Sequence, residues 1–171
     1  MKPILLIAFL LVPFLVNAQT PEEKLEALGI ALFTPAKPVA NYVKAVRTGN
    51  LVFLEGHGPA KADGTYIKGK LGKDLTVEEG YEASRNAAIA LLSSLKAEIG
   101  DLSKVTRIVK VKGMVNCTPD FYDQPKVING CSDLLVEVFG EKGKHARAAV
   151  GKVSLPSNIA VEVEMIVEIA D

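Results

Sequence analysis

The eleven residues "IAVEVEMIVEI", Ile159 to Ile169, put Ile159, Val161, Val163, Met165, Val167 and Ile169 on one side of an extended chain. Glu162, Glu164 and Glu168 fall on the other. Side chains of a strand alternate between two faces, so this segment demands one dry face and one that carries charge. On a lone subunit the acids form a wetted face. If other copies cover that face, each acid must be paired, hydrogen-bonded or line a cleft. Upstream, "HARAAV" sets Arg147 in what reads as the neighbouring strand, Ala146 to Val153, joined to the last one through an "LPS" turn. A guanidinium is a planar fork that can hold a carboxylate by two parallel hydrogen bonds. That carboxylate is either Glu162, in a structural ion pair, or a ligand's.

The remaining elements define the fold class. "ANYVKAVRTGNLVFLEG" alternates around a turn at "TGN" and predicts a β-hairpin whose second strand, Leu51 to Gly56, is apolar on both faces. In "DLTVEEGYEASRNAAIALLSSLKAEIG", Thr76 and Glu79 form a capping box before a helix that Gly100 stops. A strand follows from Val105 to Asn116. After Pro125 a second helix places Val127, Cys131, Leu134 and Val138 on one face. Gly130 inside that helix costs stability relative to Ala, which implies close backbone approach or helix packing. The order ββ, α, β, α, ββ predicts an α+β domain, a mixed sheet with two helices on one face. The other sheet face, partly apolar, calls for cover by further copies in a closed oligomer.

"MKPILLIAFLLVPFLVNAQ" has the order of a secretory signal peptide cleaved after Ala18, which predicts a periplasmic or secreted protein without stable membrane association. Its apolar run, Ile4 to Val16, is short of the ~20 residues that span a bilayer. Residues 19–38, with a short helix in "PEEKLEALGI", read as an N-terminal extension, and 39–171 as the domain. Twenty basic and twenty acidic residues cancel, and no basic track suits nucleic acid. Two histidines, His57 and His145, have no zinc-site spacing, so no metal is expected. His57 reads as a rim or turn residue. Cys117 and Cys131 are either a disulfide or two buried thiols. The "NCT" sequon at Asn116 follows an apolar strand directly and reads as chance.

"GYEASRNAAIALLSSLKAEIGDLSKVTRIVKVKGMVN", "DFYDQPKVING", "HARAAV" and "SLPSNIAVEVEMIV" together resemble the RidA/YjgF family, also labelled endoribonuclease L-PSP. The likeness runs from about Val39 to Ile169, and the long "QPKVINGCSDLLVEVFGEKGKHAR" connection points to a less characterised branch. The resemblance implies a homotrimer of chorismate-mutase-like domains, its sheets forming a barrel and its clefts lying between subunits. It implies cofactor-free hydrolysis of enamines and imines such as 2-aminoacrylate to the keto acid and ammonia. In the cleft, Arg147 would grip the substrate carboxylate and Glu162 would orient or activate water. Tyr42 on the first strand, Asn129 on the second helix and the backbone of Gly56 and Ala149 would bind substrate. Glu55 stands where the family commonly has Ser. Its charge would repel an anion unless it is protonated, turns to solvent, or pairs with Arg147 and closes the site. A non-catalytic trimer binding small metabolites is the alternative function.

Overall fold

A computed structural model describes residues 19–38 and 40–170; the expected leader, residues 1–18, lies outside them. The elements are α1 (Pro21–Ala27), β1 (Ala45–Thr48), β2 (Leu51–His57), α2 (Val77–Ile99), β3 (Val105–Asn116), α3 (Gln124–Phe139), β4 (Ala146–Lys152) and β5 (Val161–Ile169). They form the predicted α+β layer pair: a five-stranded mixed sheet with α2 and α3 on one face. The alternation of β5 is realised in full, with Val161, Val163, Met165, Val167 and Ile169 buried and Ile166 and the three acids half-buried. Val52 and Leu54 of β2 and Ile108, Val111 and Val115 of β3 complete the sheet's inner face. Against it lie Leu91, Leu92 and Leu95 of α2 and Ile128, Leu134 and Leu135 of α3, all buried.

The strand order β1-β2-β5-β3-β4 corrects one expectation. β4 does not neighbour β5: it pairs in parallel with β3, and β3 stands between them. The "LPS" segment is therefore not a hairpin turn. It carries the chain across β3 through a short 3-10 turn at Pro156–Asn158, with Ser157 and Asn158 at positive φ. Asn116, at the end of β3, donates its amide to the Asn158 side chain (3.0 Å) and the Ile159 carbonyl (3.2 Å), so its buried side chain is committed to holding this crossing.

The first strand is also shorter than its pattern. Ala45 pairs with Leu54, and beyond that pair a bulge at Glu55 and Gly56 shifts the register of β2. Residues before Ala45 have no straight partner there, so Tyr42 lies ahead of β1 rather than on it.

The capping box of α2 is closed: Glu79 N–H donates to Thr76 Oγ1 (3.2 Å) and Thr76 N–H to Glu79 Oε2 (2.8 Å). Thr76→Ala is expected to lower stability by about 1 kcal/mol, read as a shift in the urea midpoint at unchanged slope. α1 is capped in the same way and tied to the domain by Glu22, which accepts from Lys96 Nζ (2.9 Å) and Leu102 N–H (2.9 Å).

Candidate functional site

The register divides the expected site residues between the two faces of the sheet. Arg147 is level with Val111 and Met165, whose side chains are buried under the helices, so it belongs to the helix side at the edge strand. There Arg147 Nη1 donates to Asn129 Oδ1 (2.9 Å) and Ser132 Oγ (3.0 Å), both on α3. Both acceptors are neutral, and among the described residues no ion pair involves Arg147. Nη1 has two hydrogens and both are used, while Nη2 and Nε make no hydrogen bond among the described residues. The guanidinium is thus fixed in position and electrically uncompensated. Ala149, two residues on along β4, is half-buried on the same side.

Ser132 and His145 were not singled out from the sequence, and both sit at this guanidinium. Ser132 Oγ is 3.1 Å from His145 Nε2, and His145 Nδ1 is 2.6 Å from the Gly143 carbonyl oxygen. Beneath them Cys131 is fully buried, its thiol pushed up to about 12 by desolvation against the opposing charge of Arg147. Cys117 is buried too, and both cysteines are free, which decides the alternatives left by the sequence in favour of thiols.

Glu162 is level with Met114 and belongs to the other sheet face. The ion pair between Arg147 and Glu162 allowed by the sequence is therefore absent within one chain, because the sheet and β3 stand between the two groups. Glu162 Oε1 lies over Gly56: a β-carbon built there would come within 3.0 Å of it. With φ of +59° at the bulge, that position suits glycine twice over. Burial raises the Glu162 carboxyl above the usual carboxylate range, and Glu164 adds to the shift against Lys112 and Lys152. Glu55 is exposed on this same face, likewise raised by burial and then by Glu164, against Lys112 and Lys110. It turns toward solvent and does not pair with Arg147. Lys112 is bonded to Glu164 (3.1 Å). Tyr42 is 56% exposed and joins neither group.

One chain therefore presents two partial constellations: Arg147, Asn129, Ser132, His145 and Ala149 at one edge, and Glu162, Gly56 and Glu55 on the outer face.

His57 is not the rim or turn residue its surroundings in "EGHGP" suggested. It ends β2 level with Val163, which turns its ring inward, and it is 3% exposed. Its Nε2 lies 2.7 Å from Ser94 Oγ of α2, beside a cavity of about 180 Å3 that Phe33 and Lys44 also line. Nδ1 has no hydrogen-bond partner; the Glu55 carbonyl is close enough to favour the charged ring without a well-formed bond. Burial, then the charge of Lys44, lowers this histidine from 6.5 to about 4. A base depressed on folding contributes stability that is complete above pH 6.5 and lost as pH falls through 4. The loss reaches about 3 kcal/mol at the acid end. Unfolding midpoints from pH 7 to pH 4 should therefore fall more steeply for the native protein than for His57→Gln; equal slopes would contradict this.

Among the described residues no three His, Cys, Asp or Glu side chains cluster as metal ligands, and no helix is long and apolar enough to cross a membrane.

A five-stranded mixed sheet backed on one face by two helices, with an arginine uncompensated among the described residues at one edge and a raised carboxyl on the open face, defines a small α+β domain. The chain belongs to the family described as "YjgF/chorismate_mutase-like, putative endoribonuclease", whose model matches residues 22–169. It is 44% identical over 146 residues to Protein TCP17 of Trypanosoma cruzi, covering 85% of this chain and 91% of that one. A RutC family protein of Pyrococcus abyssi is 30% identical over 131 residues, 76% of this chain and 87% of its own. The crystal structure of protein Atu1372 from Agrobacterium tumefaciens, described as of unknown function, superposes with a TM-score of 0.82 at 41% identity, covering 88% of this chain and 94% of that one.

Proposed function

We propose that the protein hydrolyses small enamine or imine carboxylates of the 2-aminoacrylate kind to a keto acid and ammonia, in clefts between the subunits of a homotrimer. The observation that carries this is the Arg147 guanidinium, held by two neutral side chains and paired with no carboxylate among the described residues. Because Glu162 lies on the opposite face of the sheet, a site using both takes them from different copies. Apolar side chains on the outer face supply the reason for copies to meet: Val46 is 53% and Val150 39% exposed on one subunit. Covering such a face is favourable by roughly 25 cal/mol per Å2.

In that cleft Arg147 fixes the substrate carboxylate through Nη2 and Nε. 2-Aminoacrylate takes a proton from solvent at its methylene carbon to become the iminium ion. Water adds to the iminium carbon while Glu162 removes one of its protons; that proton passes to nitrogen. As the carbon–nitrogen bond breaks and ammonia leaves, the remaining hydroxyl proton goes to Glu162 and on to solvent, and the carbonyl forms. The elevated carboxyl of Glu162 is suited to moving a proton in both directions. Positioning and one proton carrier suffice for an electrophilic imine carbon, and no cofactor enters the scheme. Export after cleavage at Ala18 would place the reaction in the periplasm or outside the cell.

A second function, binding a small carboxylate without turnover, is favoured by one observation. Glu55 crowds Glu164 on the face that also carries Glu162, adding negative charge where an anionic substrate would sit. An enzyme generating 2-aminoacrylate, coupled to the mature protein, separates the two. Ammonia release above background supports hydrolysis; a ligand-induced rise in Tm without ammonia supports binding alone.

A further inference from the structure

The Arg147 edge holds two groups the proposed reaction leaves unused. His145 Nδ1 faces the Gly143 carbonyl, which can only accept, so the ring hydrogen is on Nδ1. In the neutral ring Nε2 is then a bare acceptor, and Ser132 must donate its single hydrogen to it. The Ser132 oxygen in turn accepts from Arg147 Nη1. So arranged, the hydroxyl hydrogen is turned away from any ligand on Arg147.

A proton on Nε2 reverses this chain. The ring becomes the donor, Ser132 accepts from both His145 and Arg147, and its hydrogen is released to bond a ligand. A second positive charge then stands beside the guanidinium. The charges around the ring are few: Arg147 from β4, and Lys144 next to it in the chain, which is paired with Glu141 at 2.7 Å. From α3 come the neutral Ser132 and the buried Cys131 thiol, which desolvation keeps protonated. With nothing on Arg147 the two cations repel; a carboxylate there removes the repulsion. We propose that the site takes up a carboxylate together with a proton, the ligand on Arg147 and the proton on His145, with the Ser132 hydroxyl switching from ring to ligand. Ser132 and His145 thereby become ligand-binding residues of the site. The inference rests on Arg147 being the carboxylate anchor.

In the free protein burial lowers the His145 ring below its ordinary range, the Gly143 carbonyl opposes this, and Arg147 adds to the lowering. Ligand binding cancels the contribution of Arg147 and raises the ring again. Binding therefore tightens as pH falls through the ring's range.

The test is calorimetric titration with pyruvate, the simplest 2-oxo carboxylate, from pH 8 to pH 5 in buffers of differing ionisation enthalpy. Because Glu162 also loses charge in acid, the comparison is made in the Glu162→Gln protein: there affinity should rise about tenfold toward pH 5, with proton uptake on binding, and both should vanish when His145→Gln is added. An NMR titration reads the ring without any variant. The chain has two histidines, and His57 is lowered to about 4, so the ring that titrates at the higher pH is His145 and must shift upward when pyruvate is added. Uptake that survives in the Glu162→Gln, His145→Gln double variant, or an imidazole titration indifferent to pyruvate, overturns the inference while leaving the anchor standing. Pyruvate that fails to bind at every pH removes the anchor itself and this inference with it.

Discussion

Arg147→Ala is expected to weaken binding of a carboxylate ligand by about 2–5 kcal/mol, the cost of losing one charged anchor in a desolvated pocket. That is roughly 30-fold to several thousand-fold in Kd, and turnover should fall below detection. The fold should persist. Arg147 lies on an edge strand, exposed on one subunit, and its two partners on α3 can turn to water when it leaves. No buried counter-charge is stranded, so the large penalties of broken buried ion pairs do not arise. Unchanged circular dichroism and oligomer mass with abolished binding is the expected pattern, and retained pyruvate affinity would contradict the anchor.

Gly130→Ala is the second large effect, and its sign is informative. Helix propensity alone favours alanine by about 1 kcal/mol. The α2–α3 contact opposes it: a β-carbon at Gly130 would lie 2.0 Å from the Tyr81 carbonyl oxygen and 2.9 Å from its carbon. Those atoms are helix backbone, so relief requires α3 to move away from α2. Overpacking of this kind should destabilise by about 3 kcal/mol or more. Because Asn129 and Ser132 flank the glycine on α3, the movement also disturbs the groups that position Arg147. A urea midpoint well below that of the native protein, with weakened ligand binding, is expected; a higher midpoint would show that propensity wins.

The sequence made the layers legible where periodicity was strong. β5 and α2 alternate and repeat without ambiguity, and their caps and burial follow the pattern. Strand order was not legible, because an "LPS" segment between two strands is compatible with a hairpin or with a crossing, and only pairing with β3 distinguishes them. That ambiguity made Arg147 and Glu162 seem neighbours when they lie on opposite faces. Tyr42 misled similarly, since the pattern of "NYVKAV" continues past the bulge that ends its pairing. His57 escaped because its inward turn depends on the register after that bulge.

Ser132 and His145 left a signal that went unused. Residues three apart on a helix share a face, so Ser132 belongs with Asn129. Residues two apart on extended chain share a side, so His145 belongs with Arg147. The arginine, its amide and hydroxyl supports and the histidine were thus deducible as one cluster once Arg147 and Asn129 were placed together.

The central claim is that Arg147 of one copy and Glu162 of another complete a common cleft. Subunit mixing tests it directly. Arg147→Ala and Glu162→Gln proteins, each inactive alone, are dissociated, mixed in equal amounts and reassociated, and imine hydrolysis is measured. A cleft shared between copies regains about a quarter of native activity by random assortment, since half the arginine contributors and half the glutamate contributors are intact. Mixtures that stay as inactive as their parents, although mixed oligomers have formed, would place both residues in a single-chain site and contradict the account.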